Sequence, residues 1–356
     1  MTQRVYLCAL SDPIADRSRY EKLVPIFEKQ GIQLELSEYL QQDLPAVYKA
    51  EDFNKALRSG RYSWILDVSG GNLANLVLPY LDYEAYQNGS TYYGAFSDGT
   101  CIVNALACRA HKKALLFPIW NQTDFTQTLQ LVQTGKMHPQ IEPMGHARAM
   151  PRHAKVFGGN IRCFLKLAGT DGFPDLTDSY LLLESSSADW NAFRSMSAHL
   201  AQIGAFESLW GIVLGRFNVL ERQAGGRKRA LELMMAFLNS LVDQPFDFYQ
   251  ADLLGHIPNS QGMWISAGKP ACEAKQLNSQ KPIEKDEKPA ALGAKTGPVK
   301  APLGSTPSAP KNEYQIKSNP EVDKMAKNDR KESKSQAHSY TISSADVYIT
   351  PFSSQK

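Results

Sequence analysis

Ser97 lies in the stretch Ala95-Phe96-Ser97-Asp98-Gly99, with small residues two before and two after it. That spacing suits a nucleophile turn, where a strand passes so sharply into a helix that bulky flanking side chains would collide. The hydroxyl is then lifted clear at the helix start. The Asp98 amide would face the same space and could bind a developing oxyanion, aided by the partial positive charge of a helix N-terminus. The plainer reading is that Ser97 caps an ordinary helix over 98–109. Ala95 stands where a nucleophile turn usually carries glycine. Position favours chemistry, because open α/β sheets place their sites at the carboxyl ends of parallel strands.

A nucleophilic serine needs a base, and the base needs an orienting acid. The chain holds seven histidines. His111 sits beside two lysines and reads as solvated. His138, His146 and His153 fall in an irregular stretch, and His338 falls near the C-terminus. His199 lies in an expected helix among apolar neighbours and reads as a structural histidine. His256, in "LLGHIPNSQGMW", follows a strand and a glycine, in a loop able to present imidazole to a cleft. For the acid, Glu184 ends the apolar strand "SYLLLE", where a poorly solvated carboxylate needs a partner. Its alternative role is at the start of the next helix. Asp67, ending "WILD", is a second candidate, with the alternative role of bonding the glycine turn that follows.

These residues must be positioned by a regular frame. "VYLCAL", "IQLELSEYL", "YSWILDV", "TYYGAF" and "ALLFPI" read as strands, with helical spacing in "RYEKLVPIFEKQG" and "EDFNKALRSG" between them. Strands alternating with helices predict βαβ units and a mainly parallel sheet. This first domain is expected over 1–135. Residues 136–157, rich in Pro, Gly, His and Arg, read as an irregular connection. A second domain is expected over 158–274, with "NIRCFLKLAG" as a helix, "SYLLLES" as a strand and a helix at Trp190–Ile203. That helix presents Trp190, Phe193, Met196, Leu200 and Ile203 on one face. "LWGIVLGRF", "KRALELMMAFLNSLV", "FYQADLLG" and "MWISAG" follow as strand, helix and two late strands. Residues 275–356 are rich in Lys, Pro, Ala, Gly and Ser, and their composition predicts a disordered tail. Within it, "SYTISSADVYIT" has the pattern of a short strand or docking peptide.

Composition narrows the function classes. The net charge of +3 is small and no basic stripe interleaves with aromatics, so nucleic acid is not an expected partner. No apolar run reaches the ~18 residues of a membrane span. The N-terminus does not read as a secretory signal. The five cysteines, Cys8, Cys101, Cys108, Cys163 and Cys272, form no CxxC pair and read as reduced, buried thiols of a cytoplasmic protein. No ligand spacing for a metal is present, and no metal or other cofactor is expected.

At the candidate residues the chain resembles the serine peptidases that include the LD-carboxypeptidases and the microcin C self-immunity protein. Six ordered motifs over roughly residues 3–272 carry the likeness: "SGGNLANLVLPYLDYEAY", "YGAFSDGT", "FGGNIRCFLKLAGT", "LLLESSS", "AHLAQIGAFESLWGIVLGRF" and "GHIPNSQGMWISAG". The resemblance implies an α/β fold with a Rossmann-like (flavodoxin-like) nucleophile domain and a smaller α/β C-terminal domain supplying Glu and His. It implies a Ser97–His256–Glu184 triad, with an oxyanion hole from the Asp98 amide and an amide of the Gly70–Gly71 turn. It further implies a homodimer that cleaves an amide through an acyl-enzyme. Two substrates follow: a murein tri- or tetrapeptide losing a terminal D-alanine, or an aminoacyl-nucleotide amide of the microcin type. A non-catalytic binding protein retaining the fold is the rival class. The chain departs from the family pattern at Ala95 and at Ser185, where Asp is common. "LLFPIWNQ" lacks the usual His-Gly-Pro, and "WISAGKP" lacks a Pro before its glycine. These departures spare the triad and bear on specificity. "SGGN" and "LLLESSS" are closer to the microcin-immunity branch.

Overall fold

A computed structural model of the protein describes residues 3–271. The expected tail over 275–356, with His338 and the "SYTISSADVYIT" stretch, lies outside the described residues, as does Cys272. The strands in chain order are β1 (Gln3–Cys8), β2 (Ile32–Leu36), β3 (Trp64–Asp67), β4 (Tyr92–Ala95), β5 (Ala114–Leu116), β6 (Glu142–Pro143), β7 (Val156–Asn160), β8 (Ser179–Ser185), β9 (Leu209–Phe217), β10 (Asp247–Gln250) and β11 (Met263–Ile265).

The first sheet has the order β2-β1-β3-β4-β5-β11. Its first five strands run parallel, and β11 joins β5 antiparallel. This is the flavodoxin-like doubly wound order, whose ligand crevice lies at the carboxyl ends of the strands. Helices Ala46–Arg58, Tyr83–Asn88 and Thr100–Arg109 fill the crossovers between β2 and β5. Every residue of β3 and β5 is buried, which explains why "WILD" and "ALL" are almost continuously apolar rather than alternating. Val5, Leu7, Phe27, Leu66 and Leu115 meet in one core on this sheet.

The second sheet has the order β6-β10-β9-β8-β7, parallel except for β6 at its edge. β7 is a strand that the sequence pattern hides, because Gly158 and Gly159 interrupt it. Both have positive φ, and a Cβ on Gly158 would come within 2.2 Å of the Leu182 carbonyl oxygen. The glycines are therefore what allows β7 to lie against β8. The stretch 136–157 also holds more order than its composition suggests, since β6 pairs with β10 there.

In the helix Trp190–Gln202, Trp190, Phe193, Ser197 and Leu200 form the buried stripe. His199 falls off that stripe and is exposed, so the reading of it as a structural histidine among apolar neighbours is corrected. Cys8, Cys101, Cys108 and Cys163 are free and buried. Among the described residues no helix is long and apolar enough to cross a membrane.

Candidate active site

β4 delivers Ser97 at its carboxyl end. Phe96 is fully extended, and Ser97 then turns to φ 53 before a single 3-10 turn, Ser97–Gly99, leads into the helix Thr100–Arg109. A non-glycine residue in this left-handed region costs about 1–3 kcal/mol, so surrounding structure must hold it there. The small neighbours do so by close approach: a Cβ on Gly99 would lie 2.6 Å from the Cβ of Ala95. One methyl fits between positions 95 and 99, and here it belongs to Ala95. Neither the 3-10 turn nor the helix has a side-chain cap, so Ser97 does not serve as an ordinary N-cap.

Asp98 is completely buried. Its carboxylate accepts hydrogen bonds from Ser11 Oγ at 2.7 Å and the Ala74 amide at 2.8 Å, and it is ion-paired with Lys166. Burial alone would raise the carboxyl pKa. The Lys166 ammonium and the donated hydrogen bonds outweigh it, and the net shift is downward. The Asp98 amide has no acceptor among the described residues.

The glycine turn follows β3. Gly71 has φ +125, and a Cβ there would fall 2.1 Å from the Asp12 carboxylate, so only glycine fits. The Gly70 carbonyl accepts from the Asp12 amide at 3.1 Å. In a trans peptide the N–H points opposite to the carbonyl of the same unit, so this bond turns the Gly71 N–H away from Asp12. Asp67 serves the same turn. It accepts from the Leu10 and Ser69 amides, the Ser69 hydroxyl and the Tyr93 phenol at 2.6 to 3.2 Å. Burial raises its pKa, and these donors oppose that shift. Of the two candidate acids, Asp67 is thus the one that braces backbone.

Glu184 is the one that meets a histidine. β8 carries it, fully buried, to a point where its Oε2 lies 2.8 Å from His256 Nδ1. Its backbone stands opposite Asn160 on β7, and the next helix is capped not by Glu184 but by Asp189, whose side chain accepts from the Ala192 amide. Burial disfavours the charged imidazolium, but the Glu184 charge and hydrogen bond outweigh it and raise the His256 pKa. The His256 ring packs on Phe96, the residue before Ser97, with centroids 5.1 Å apart.

The histidine loop is held from several sides. Asn218 Nδ2 donates to the His256 carbonyl at 2.8 Å. The Gly255 amide donates to Ser260 Oγ at 3.0 Å, and the Asn259 amide to the Asn121 carbonyl at 2.9 Å. Gly255 has φ +147, and a Cβ there would meet Arg216 Cβ at 2.6 Å. Of the other histidines described, His111, His138, His146 and His153 are exposed, and His111 Nδ1 lies 2.7 Å from the Gly268 carbonyl oxygen.

Sequence reasoning missed the basic grip on the glycine turn. Arg162 donates to Asn72 Oδ1 at 2.6 Å and to the Gly71 carbonyl at 3.1 Å, and Lys166 Nζ donates to the Asn72 carbonyl at 2.8 Å. The two cations are four residues apart, the one available signal, since that spacing puts both on one side of a helical stretch. Among the described residues, no group of three or more His, Cys, Asp or Glu side chains is arranged to hold a metal ion.

Comparison with known proteins agrees with this architecture. Residues 5–116 match the LD-carboxypeptidase N-terminal domain and residues 153–264 match the LD-carboxypeptidase C-terminal domain. A Vibrio cholerae protein named as a carboxypeptidase is 24% identical over 227 residues, covering 50% of this chain and 64% of that protein. The chain thus spans less than two thirds of that relative's length. The solved muramoyltetrapeptide carboxypeptidase of Oxalobacter formigenes is 16% identical, with a TM-score of 0.61 over 74% of this chain and 93% of its own. The microcin self immunity protein MccF in complex with aspartyl sulfamoyl adenosine is 16% identical, with a TM-score of 0.60 over 75% of this chain and 92% of its own. At these identities the two structures are similar to the chain in fold.

Proposed function

The chain belongs to the LD-carboxypeptidase family, and from that premise we propose that it hydrolyses an amide bond through an acyl-enzyme, with Ser97 as nucleophile, His256 as base and Glu184 as the acid that orients the base. One observation carries the reading. The Glu184–His256 pair lies against Phe96, the neighbour of a serine held at φ 53 at the end of a parallel strand.

The chemistry follows from the groups. His256 Nε2 takes the proton of Ser97 as Oγ attacks the carbonyl carbon, forming a C–O bond. Glu184 keeps Nδ1 protonated and offsets the charge of the imidazolium. The oxyanion is met by the amides of Asp98 and of Gly70 or Gly71, none of which has an acceptor among the described residues. One such donor is worth roughly 3–4 kcal/mol in the barrier. The C–N bond then breaks, and His256 gives its proton to the leaving amine. Water attacks the acyl-enzyme with the same base and releases Ser97.

The substrate we favour is a murein tetrapeptide losing a terminal D-alanine; the Oxalobacter relative is named a muramoyltetrapeptide carboxypeptidase. A microcin-type aminoacyl-nucleotide is the second reading. It is favoured by the "SGGN" turn and by the likeness to MccF, whose complex holds an aminoacyl sulfamoyl nucleoside. The test is a panel of muropeptides and aminoacyl-sulfamoyl adenosines read by mass spectrometry, with wild type and Ser97→Ala side by side. Cleavage of a panel member by wild type alone supports the reading and names the branch. Cleavage retained in Ser97→Ala rejects it. No cleavage, with no fluorophosphonate labelling at Ser97, favours the non-catalytic class.

A further inference from the structure

The Asp98 carboxylate occupies an unusual position, because it belongs to the residue whose amide is one proposed oxyanion donor. It is wholly buried, yet all of its partners come from other segments. Ser11 Oγ donates at 2.7 Å, the Ala74 amide at 2.8 Å and Cys163 Sγ at 3.3 Å, and Lys166 Nζ completes the set. Ser11 Oγ also accepts from the Leu73 amide at 3.3 Å. Lys166 Nζ also donates to the Asn72 carbonyl at 2.8 Å. Every one of these links except Cys163 ties Asp98 to residues 72–74, directly after the Gly70–Gly71 turn.

The two halves of an oxyanion hole must converge on one oxygen, each donor about 2.7–3.1 Å away. Here they come from loops after different strands, β3 and β4, and no hydrogen bond joins the two donor amides themselves. The link between them is the buried carboxylate and the ammonium it pairs with. Burial of the pair is by itself weak evidence that it serves fold stability. A buried ion pair is often matched or exceeded in stability by well-packed apolar residues of similar size.

We propose that Lys166 is a positioning residue of the oxyanion hole: by holding the Asp98 carboxylate and the Asn72 carbonyl at once, it sets the spacing between the Asp98 amide and the glycine turn. This rests on the assignment of Ser97 and its oxyanion donors given above. Lys166 Nζ is engaged by the Asp98 carboxylate and the Asn72 carbonyl. Its effect is on how well the tetrahedral oxyanion is met, and not on how the substrate is first bound.

A fluorophosphonate phosphonylates Ser97 as Oγ bonds to phosphorus and fluoride leaves, through a five-coordinate transition state whose phosphoryl oxygen gains negative charge, so its rate reads the hole. In Lys166→Met the limiting rate constant of labelling is expected to fall about 10- to 100-fold, with the concentration for half-maximal rate within about twofold of wild type. The acid limb of the rate against pH keeps its midpoint, because Glu184–His256 is untouched. Lys166→Arg, which retains a charge able to reach both partners, recovers most of the rate. Labelling of Lys166→Met at the wild-type limiting rate overturns the proposal, provided Ser97→Ala is not labelled. If Ser97→Ala is still labelled, the nucleophile assignment fails instead. Should Lys166→Met not fold, Ser11→Ala removes a different strut and leaves the ion pair intact. A drop of about three- to tenfold in the limiting rate alone then supports the coupling, and an unchanged rate overturns it.

Discussion

His256 Nδ1 lies 2.8 Å from Glu184 Oε2 across a separation of 72 residues, which joins the end of β8 to the loop after β10. The carboxylate is fully buried, so it acts on the imidazole at short range with little screening by solvent. The triad substitutions follow from this. Ser97→Ala and His256→Ala are each expected to reduce kcat by about 10⁴-fold or more, and Glu184→Gln by about 10⁴-fold with KM little changed. Steady-state kinetics on the panel substrate checks all three, and a Glu184→Gln enzyme at wild-type kcat would remove Glu184 from the mechanism.

The raised pKa of His256 sets the pH dependence. The base works only when neutral, so kcat/KM falls as pH drops through the raised value, above the ordinary imidazole range near about 6.5. Stability runs the other way. A raised folded pKa contributes stability that is fully present below the unfolded pKa and is lost as pH rises through the folded one. Activity therefore climbs over the interval in which the Glu184–His256 ion pair gives up its contribution. Glu184→Gln removes the charge, so the acid limb of any residual activity moves to lower pH. A pH–rate profile paired with melting curves at the same pH values tests both signs, and an acid limb at or below the ordinary imidazole value refutes the coupling.

Ala95 and Gly99 share room for one methyl, with a Gly99 Cβ placed 2.6 Å from that of Ala95. Gly99 itself has φ −62, which alanine tolerates, so its only obstacle is the neighbour. Gly99→Ala is expected to cost about 1–3 kcal/mol and to displace Ser97, lowering kcat sharply. Adding Ala95→Gly to it restores most of the loss. The double-mutant cycle is the measurement, and purely additive effects would show that the two sites do not collide.

Gly255→Ala carries two penalties, φ +147 and a Cβ 2.6 Å from Arg216 Cβ. The substitution is expected to shift the histidine loop, with kcat falling at least about tenfold and amide exchange rising in residues 255–261. Unchanged exchange with full activity would show that the loop does not depend on this glycine.

Much of this site could be read from residue types, for identifiable reasons. The proposed residues were singled out by type and setting: Ser97 by Ala95 and Gly99, Glu184 by its place at the end of an apolar strand, and His256 by a loop after a strand. The alternation of strand and helix also foretold the parallel sheet. Other features left no such trace. The φ of Ser97 is a product of packing, and β7 was concealed by the two glycines that permit it. Lys166 and Asp98 stand 68 residues apart, and no local pattern links them. His199 shows the limit of apolar context, because one position of rotation on a helix separates the buried stripe from solvent.

β11 is cut from the late part of the chain but is hydrogen-bonded to β5, while β10, just before the histidine loop, lies in the other sheet. The imidazole is therefore carried on a span anchored at both banks. A polypeptide still emerging from the ribosome has its serine and carboxylate long before the segment that moors this span. Hydrolysis by the proposed machinery is expected only once synthesis has passed Met263–Ile265, so a chain stopped before that strand is expected to be inert.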